Sequence, residues 1–192
     1  MRLLPNFLTI LRIALTPWVA VSILNHQSWM ALLLCAAAGA TDALDGWLAR
    51  RWQAQSRFGA YLDPISDKIL LVTVYLTLGA IHAAPRWLVG LILGRDILIL
   101  AMAGVALAFT TLRDFPPSIW GKISTHLQIY AALIFLSAHA WPDSFVPRLV
   151  PVAIAGAAAG TAWSGVHYLA TGIRRLLSWK AASGRPGDIL DS

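Results

Sequence analysis

The sequence predicts an all-α, polytopic membrane protein with six transmembrane helices and both termini on the cytoplasmic side. Three observations predict it. Hydrophobic residues make up 58% of the 192 positions and charged residues only 12%, against about 25% charged in an average soluble domain. The mean hydropathy is +0.66, and apolar runs near the roughly 20 residues that cross a bilayer recur along the chain. Of the 15 basic residues, ten fall at the termini and in alternate connections and two on the opposite side. Together these exclude a disordered chain, a basic nucleic-acid-binding domain and an ordinary soluble enzyme.

Taken in order, the first span covers about Phe7–Asn25. It carries Arg12 and lacks a small-residue cleavage site, which predicts a retained helix and not a signal peptide. The second span covers about Ser28–Arg50, followed by a polar connector over Arg51–Leu62. The third covers about Pro64–Ala83 and the fourth about Trp87–Thr111. After the connector Leu112–Pro117, the fifth runs about Ser118–Trp141. The sixth runs from near Pro147 to about Ala170, with a helical extension to Trp179. Residues 1–179 then form one transmembrane domain, and the Gly/Pro/Asp-rich segment 180–192 is a flexible tail.

Six spans place both ends on one side. Arg2, Arg50, Arg51, Arg57, Arg113, Lys122, Arg174, Arg175, Lys180 and Arg185 fall at the termini and at the 2–3 and 4–5 connections. The opposite side has Arg86 and Arg148. Ten against two puts the termini in the cytoplasm. The net charge of +6 therefore reads as topology and affinity for anionic substrates, with no call for nucleic acid. Trp29, Trp52, Trp87, Trp120, Trp141 and Trp179 lie near span ends, as interfacial anchors do. Gly156 and Gly160 form a GxxxG that permits close helix approach, within one bundle or across a dimer. The single cysteine, Cys35, excludes a disulfide framework. His126 and His167 read as helix-packing residues, and His26, His82 and His139 as interfacial ones.

All nine acidic residues are Asp, and four of them cluster: Asp42, Asp45, Asp63 and Asp67. Asp42 and Asp45 are three apart near the cytoplasmic end of the second span, and Asp63 and Asp67 four apart at the start of the third. Each spacing puts its pair on one helix face, and a short connector makes the helices antiparallel neighbours. Four close carboxylates at a membrane boundary are costly. Protonation of some of them offsets the cost, or bound cations do; hard divalent ions favour carboxylate oxygens, and two of them balance four negative charges. Such a site suits phosphoryl or phosphodiester chemistry. Gly46 sits inside the second helix, where it costs about 1 kcal/mol relative to Ala, which a close backbone approach by a ligand explains. Ala49 keeps the same groove open, Arg50 offers forked donors to phosphate, and Gly59 lies in the connector. The plain alternative is a set of surface carboxylates in salt bridges.

The pattern Asp42-x2-Asp45-Gly46-x2-Ala49-Arg50-x8-Gly59-x3-Asp63-x3-Asp67 resembles, at every fixed position, the signature of the CDP-alcohol phosphatidyltransferase family. Pro5-Asn6-x2-Thr9-x2-Arg12, Asp67-Lys68, Gly94-Arg95-Asp96 and Gly121-Lys122-x2-Thr125-x2-Gln128 are similar to further family segments. The resemblance covers about Leu4–Gln128, with the sixth span alike only in character. It implies six transmembrane helices, a homodimer in the inner membrane, a cavity facing the cytoplasm, and cleavage of CDP-diacylglycerol with release of CMP. It implies that Asp42, Asp45, Asp63 and Asp67 ligate divalent metal, Mg²⁺ or Mn²⁺ and two ions. It implies that Asp67 is also the general base on the acceptor hydroxyl, and that Gly46, Ala49, Arg50 and Gly59 line the CDP site.

Arg95, Lys122, Arg57 and Arg113 are candidates for an acceptor-phosphate pocket. The alternative for Arg95 is an ion pair with Asp96 or a motif Asp, and for Arg57 and Arg113 a solvated loop. Among the family's branches the chain looks most like the short bacterial one that uses glycerol 3-phosphate and forms phosphatidylglycerophosphate. Arg95-Asp96, where that branch usually has Glu second, together with Pro116-Pro117-Ser118 and His167-Tyr168, look more like the cardiolipin-forming branch, whose acceptor is phosphatidylglycerol. A rival from another class, an ion or proton transporter, predicts acids spread across the membrane's depth and an inverted repeat. Neither is evident here.

Overall fold

In the computed structural model the structure describes residues 4–52, 57–109 and 118–183, with side-chain surroundings over 10–41, 65–102 and 118–174. Within them the chain is all helical, with no strand. The elements are α1 (Leu4–Leu24), α2 (Ser28–Trp52), α3 (Arg57–Ala80), α4 (Arg86–Phe109), α5 (Ile119–Ala140) and α6 (Val150–Ser183). A 3₁₀ turn, Val146–Leu149, leads into α6.

The six expected helical segments are present, and the largest boundary difference falls between α2 and α3. Helix α2 runs on to Trp52 and α3 begins at Arg57, so most of the expected 51–62 connector is helical. Gly59 therefore lies in the first turn of α3 and not in a connector, and Asp63 lies two turns into the helix. Pro64, the expected start of the third span, lies inside α3. Helices of membrane proteins accept an interior Pro, and α1 does so too, at Pro17. Helix α6 continues past the expected Trp179 end to Ser183; the rest of the proposed tail lies outside the described residues.

The chain packs as two compact units, Met1–Val89 with Ile129–Ile154, and Gly90–Gln128 with Ala155–Ser192. In the first, α1 packs against both α2 and α3. Its inward face carries Arg12, Thr16, Val19 and Ile23, all buried and spaced three or four apart. Its other face turns Trp18, 67% exposed, and Val21 outward. Tyr75, Leu78, Leu88 and Phe135 complete the core of this unit. Helices α1 and α3 end alike. His26 and His82 adopt positive φ, 57° and 61°. After each, the next residue's N–H reaches back to Ser22 and Leu78 carbonyls respectively, both at 2.8 Å. These are Schellman turns, with His where Gly is usual.

The second unit is held by small and polar side chains. Gln128 Nε2 donates to Thr161 Oγ1 at 2.9 Å and to Ser124 Oγ at 3.3 Å, all three residues buried. Gly156 and Gly160 both face Leu127 of α5, so the GxxxG serves packing within the chain. Ser118 caps α5, its Oγ accepting from the Gly121 N–H at 3.1 Å.

Beside the apolar core, several polar side chains are buried while large apolar ones are exposed. Arg12, Ser66, Asp96, Gln128 and Thr161 are inside, while Ile97, Leu100, Val152 and Val166 are at least 64% exposed. Val146–Arg174 is long and apolar enough to cross a membrane, and Ile10–Leu24 and Ser28–Thr41 are shorter apolar stretches among the described residues.

Candidate functional site

Helix α2 is continuous through Asp42 and Asp45, and α3 through Asp63 and Asp67. The backbone therefore keeps each pair on one helix face, as the spacing predicts. Gly46, Ala49 and Arg50 follow in α2, and Arg57 and Gly59 open α3. The side chains of Asp42, Asp45, Asp63, Ala49, Arg50 and Arg57 lie outside the described residues, as does Arg113 altogether. Within the described residues no group of three or more His, Cys, Asp and Glu forms a metal site; of the four motif carboxylates these include Asp67 alone.

Asp67 is described in detail. Its side chain is 52% exposed, and Arg12 Nη1 donates to its Oδ1. The same Nη1 donates to Ser66 Oγ at 3.1 Å. The Arg12 side chain is 1% exposed. One end of this pair is thus sunk between α1 and α3, and the other opens outward. A guanidinium inside an apolar helix bundle is costly unless paired, and marks function by default. Sequence reasoning noticed Arg12 as a charge in an apolar span but gave it no role at the site. The signal was the charge itself; the partner 55 residues away in sequence was not readable.

The oxygen-only donor set fits a hard divalent cation. Asp67 presents a half-exposed carboxylate; Asp63 lies on the same helix, and Asp42 and Asp45 on α2.

The second unit holds Arg95. Its Nη1 donates to Asp96 Oδ1 at 2.9 Å, the ion pair that stood as its alternative reading. The two side chains are 9% and 6% exposed. Neighbours in a helix do not usually face each other. Here Ser164 on α6 helps turn the guanidinium, accepting from Nε and Nη2. The cation lies 5.6 Å from the centroid of the Tyr168 ring, and the Tyr168 hydroxyl accepts from the Ser118 N–H at 2.9 Å. A Cβ on Gly121 would sit 3.0 Å from the Tyr168 hydroxyl and 3.2 Å from Arg95 Nη2, so this glycine makes room for both. Lys122, in the first turn of α5, is exposed. His126 is exposed, its Nδ1 bonding the Lys122 carbonyl oxygen at 2.8 Å. Ser164 was not singled out from sequence, where one small polar residue in an apolar helix carries no signal.

The sequence profile of the CDP-alcohol phosphatidyltransferase family matches residues 2–165. The match continues into α6, beyond the Leu4–Gln128 stretch in which the motifs are visible. The chain is 32% identical to the CDP-diacylglycerol–glycerol-3-phosphate 3-phosphatidyltransferase of Sodalis glossinidius, over 86% of this chain and 92% of the relative. It is 34% identical to the enzyme of the same name from Pectobacterium atrosepticum, with the same coverage, 86% and 92%. It is 33% identical to the "Probable cardiolipin synthase (CMP-forming)" of Drosophila melanogaster over 72% of this chain, and spans 48% of that relative's length. With the Asp motif on two helices and family similarity over most of its length, the chain belongs to the CDP-alcohol phosphatidyltransferase family.

Proposed function

We propose that this phosphatidyltransferase moves the phosphatidyl group of CDP-diacylglycerol to glycerol 3-phosphate, giving phosphatidylglycerophosphate and CMP. The observation that supports the acceptor is that two bacterial relatives named for glycerol 3-phosphate align along 86% of this chain and 92% of their own length. The second reading, transfer to phosphatidylglycerol, is favoured by Asp96 following Arg95 and by the 33% identity to that relative.

In this reading Asp67 accepts the proton of the acceptor hydroxyl, which must come within hydrogen-bond reach of its exposed side. The acceptor oxygen attacks the phosphorus that carries diacylglycerol. A P–O bond forms there, and the bond from that phosphorus to the bridging oxygen breaks, with CMP leaving on the electron pair. Asp42, Asp45, Asp63 and Asp67 would hold Mg²⁺ or Mn²⁺, two ions suiting four carboxylates. When bound, the ions supply charge neutralisation at the diphosphate and the leaving group. Gly46, Ala49, Arg50 and Gly59 receive the CDP moiety. Arg95, Lys122, Arg57 and Arg113 are assigned to the acceptor phosphate. Arg95 already has Nη1 on Asp96 and both Nε and Nη2 on Ser164, so it acts as a pre-oriented cation.

The topology that goes with this chemistry has six spans in the inner membrane, with both termini and the Asp motif on the cytoplasmic side. The Lys/Arg asymmetry and the exposed large apolar side chains support it. A homodimer follows from the family resemblance.

The test is an assay of purified protein with CDP-diacylglycerol, comparing glycerol 3-phosphate with phosphatidylglycerol and identifying the lipid product. Phosphatidylglycerophosphate formation is expected. Cardiolipin as the only product would move the chain to the second reading, and no CMP release with either acceptor would defeat both.

A further inference from the structure

We propose that Arg12 is a positioning residue for the reaction: it fixes the Asp67 carboxylate from the packed side and serves as a built-in counter-charge that opposes divalent-cation binding. The inference rests on the phosphatidyltransferase reading, in which Asp67 works at the reacting centre.

The geometry is asymmetric. The Arg12 side chain is 1% exposed and that of Asp67 52%. The cation therefore meets the carboxylate from inside the unit and leaves its outer side toward the site. Nη1 bonds two consecutive residues of α3, Ser66 and Asp67. Both bonds come from one nitrogen of a rigid planar head whose donors point in fixed directions, so the guanidinium holds the carboxylate's orientation more narrowly than a freely rotating ammonium would. Burial of the guanidinium weakens screening by solvent, so its charge acts on the Asp67 carboxylate more strongly than a surface charge would. The Thr16 hydroxyl bonds the Arg12 carbonyl oxygen at 2.9 Å, and Thr16 is buried beside it on the same face of α1.

Two consequences follow that pull in opposite directions. Arg12 and a divalent ion are both cations drawn to the Asp67 carboxylate. Replacing Arg12 with a neutral residue leaves the acidic cluster more negative, so ions bind more tightly. The same replacement frees the carboxylate to rotate, so turnover falls, because catalytic groups displaced by ~1 Å lose much of their effect. Loss of fold would weaken metal binding and turnover together. Tighter binding with slower turnover is the signature of a counter-charge that also positions.

The experiment uses the full chain in lipid nanodiscs, with Mn²⁺ as the probe and free Mn²⁺ read by electron paramagnetic resonance without substrate. CMP release is then measured at saturating Mn²⁺. Arg12→Gln is expected to bind Mn²⁺ about tenfold more tightly, a modest fraction of the interaction between close unit charges. Its kcat is expected to fall about a hundredfold, as misplacement of a reacting group can cost. Arg12→Lys keeps the charge and loses the rigid planar head with its fixed donor direction, so its Mn²⁺ affinity stays at the wild-type level while kcat falls. In an Asp67→Asn background, Arg12→Gln should leave the turnover that remains unchanged, since its effect on rate runs through that carboxylate. Unchanged or weaker Mn²⁺ binding by Arg12→Gln overturns the counter-charge role. Wild-type kcat in Arg12→Lys overturns the positioning role, and this variant serves if Arg12→Gln does not fold. If the wild-type protein binds no Mn²⁺ and releases CMP after exhaustive chelation, the metal reading itself fails and this inference with it. Mn²⁺ binding by wild type with no shift in Arg12→Gln removes the inference alone.

Discussion

Arg95 on α4 donates to Ser164 on α6 through two nitrogens, Nε at 3.3 Å and Nη2 at 2.7 Å. One hydroxyl thus orients a side chain that is 9% exposed and already paired with Asp96. Ser164→Ala removes the acceptor shared by two donors of a nearly buried cation. Leaving such donors unsatisfied costs about 1–3 kcal/mol. The variant should melt at lower temperature in detergent and show a raised KM for glycerol 3-phosphate, the second effect coming from a guanidinium that is no longer oriented. Ser164→Thr keeps the hydroxyl and should stay close to wild type in both measurements. An Ala variant with unchanged melting and KM would show that the Asp96 pair alone holds Arg95.

Gly160 and Leu127 give a second prediction. A Cβ on Gly160 would lie 2.6 Å from Leu127 Cδ1, while the nearest backbone atom, Ser124 Cα, is 3.7 Å away. The obstacle is the end of a flexible side chain and not the helix itself. Gly160→Ala should therefore cost about 1–3 kcal/mol, the usual cost of overpacking. Adding Leu127→Ala should recover part of that loss, because it clears the atom that collides. Melting temperatures of the two single variants and the double variant check this. If the losses simply add, the α5–α6 contact is not where Gly160 matters.

The two contacts also show what was legible in the sequence. The helices were readable because apolar runs of membrane length end at polar, Pro or Gly residues. The Asp motif was readable because three- and four-residue spacings hold their meaning along any continuous helix, and α2 and α3 are continuous through it. The α2–α3 boundary was misread because Pro64 and the polar residues before it look like a connector, while the backbone stays helical from Arg57. Pairings such as Arg12 with Asp67, or Arg95 with Ser164, depend on the register between helices 55 and 69 residues apart in the chain. No local period encodes that register. Gly160 announced a close approach, but only the packed structure names Leu127 as the neighbour.

His26 and His82 carry a third prediction. Both hold positive φ at the ends of α1 and α3, where an L side chain crowds its own backbone. Both side chains are exposed, and His82 gains little from its 3.4 Å contact with the Ala80 carbonyl oxygen. Replacing either with Gly removes the crowding and gives back part of the gain through a more flexible unfolded chain. A net stabilisation of about 0.5–1 kcal/mol per site is expected. The double variant should show the sum, because the turns close two different helices. Thermal melts measure it, and CMP release should be unchanged. A lower melting temperature would mean that the imidazoles make contacts at the membrane surface worth more than the strain they carry.

The last prediction concerns the carboxylates and the cations they are proposed to hold. Asp67→Asn keeps the size of the side chain and one oxygen, but supplies neither the charge nor the proton acceptor of the proposed reaction. A positioned general base contributes about 10²–10⁴-fold, and CMP release should fall by that order at saturating Mg²⁺ or Mn²⁺. The cost to folding should be smaller than that of removing Arg12, because the carboxylate is 52% exposed and the guanidinium 1%. Neutralising the exposed partner nevertheless takes a carboxylate charge away from the buried cation, so some loss of thermal stability is expected in Asp67→Asn. Chelation separates the two effects. Exhaustive treatment of the wild-type protein should abolish CMP release while leaving the Arg12–Asp67 pair intact, and added Mg²⁺ or Mn²⁺ should restore the rate. Asp67→Asn should remain slow at every metal concentration. Recovery of its rate in excess metal would assign Asp67 to metal binding only and leave the proton of the acceptor hydroxyl to another group.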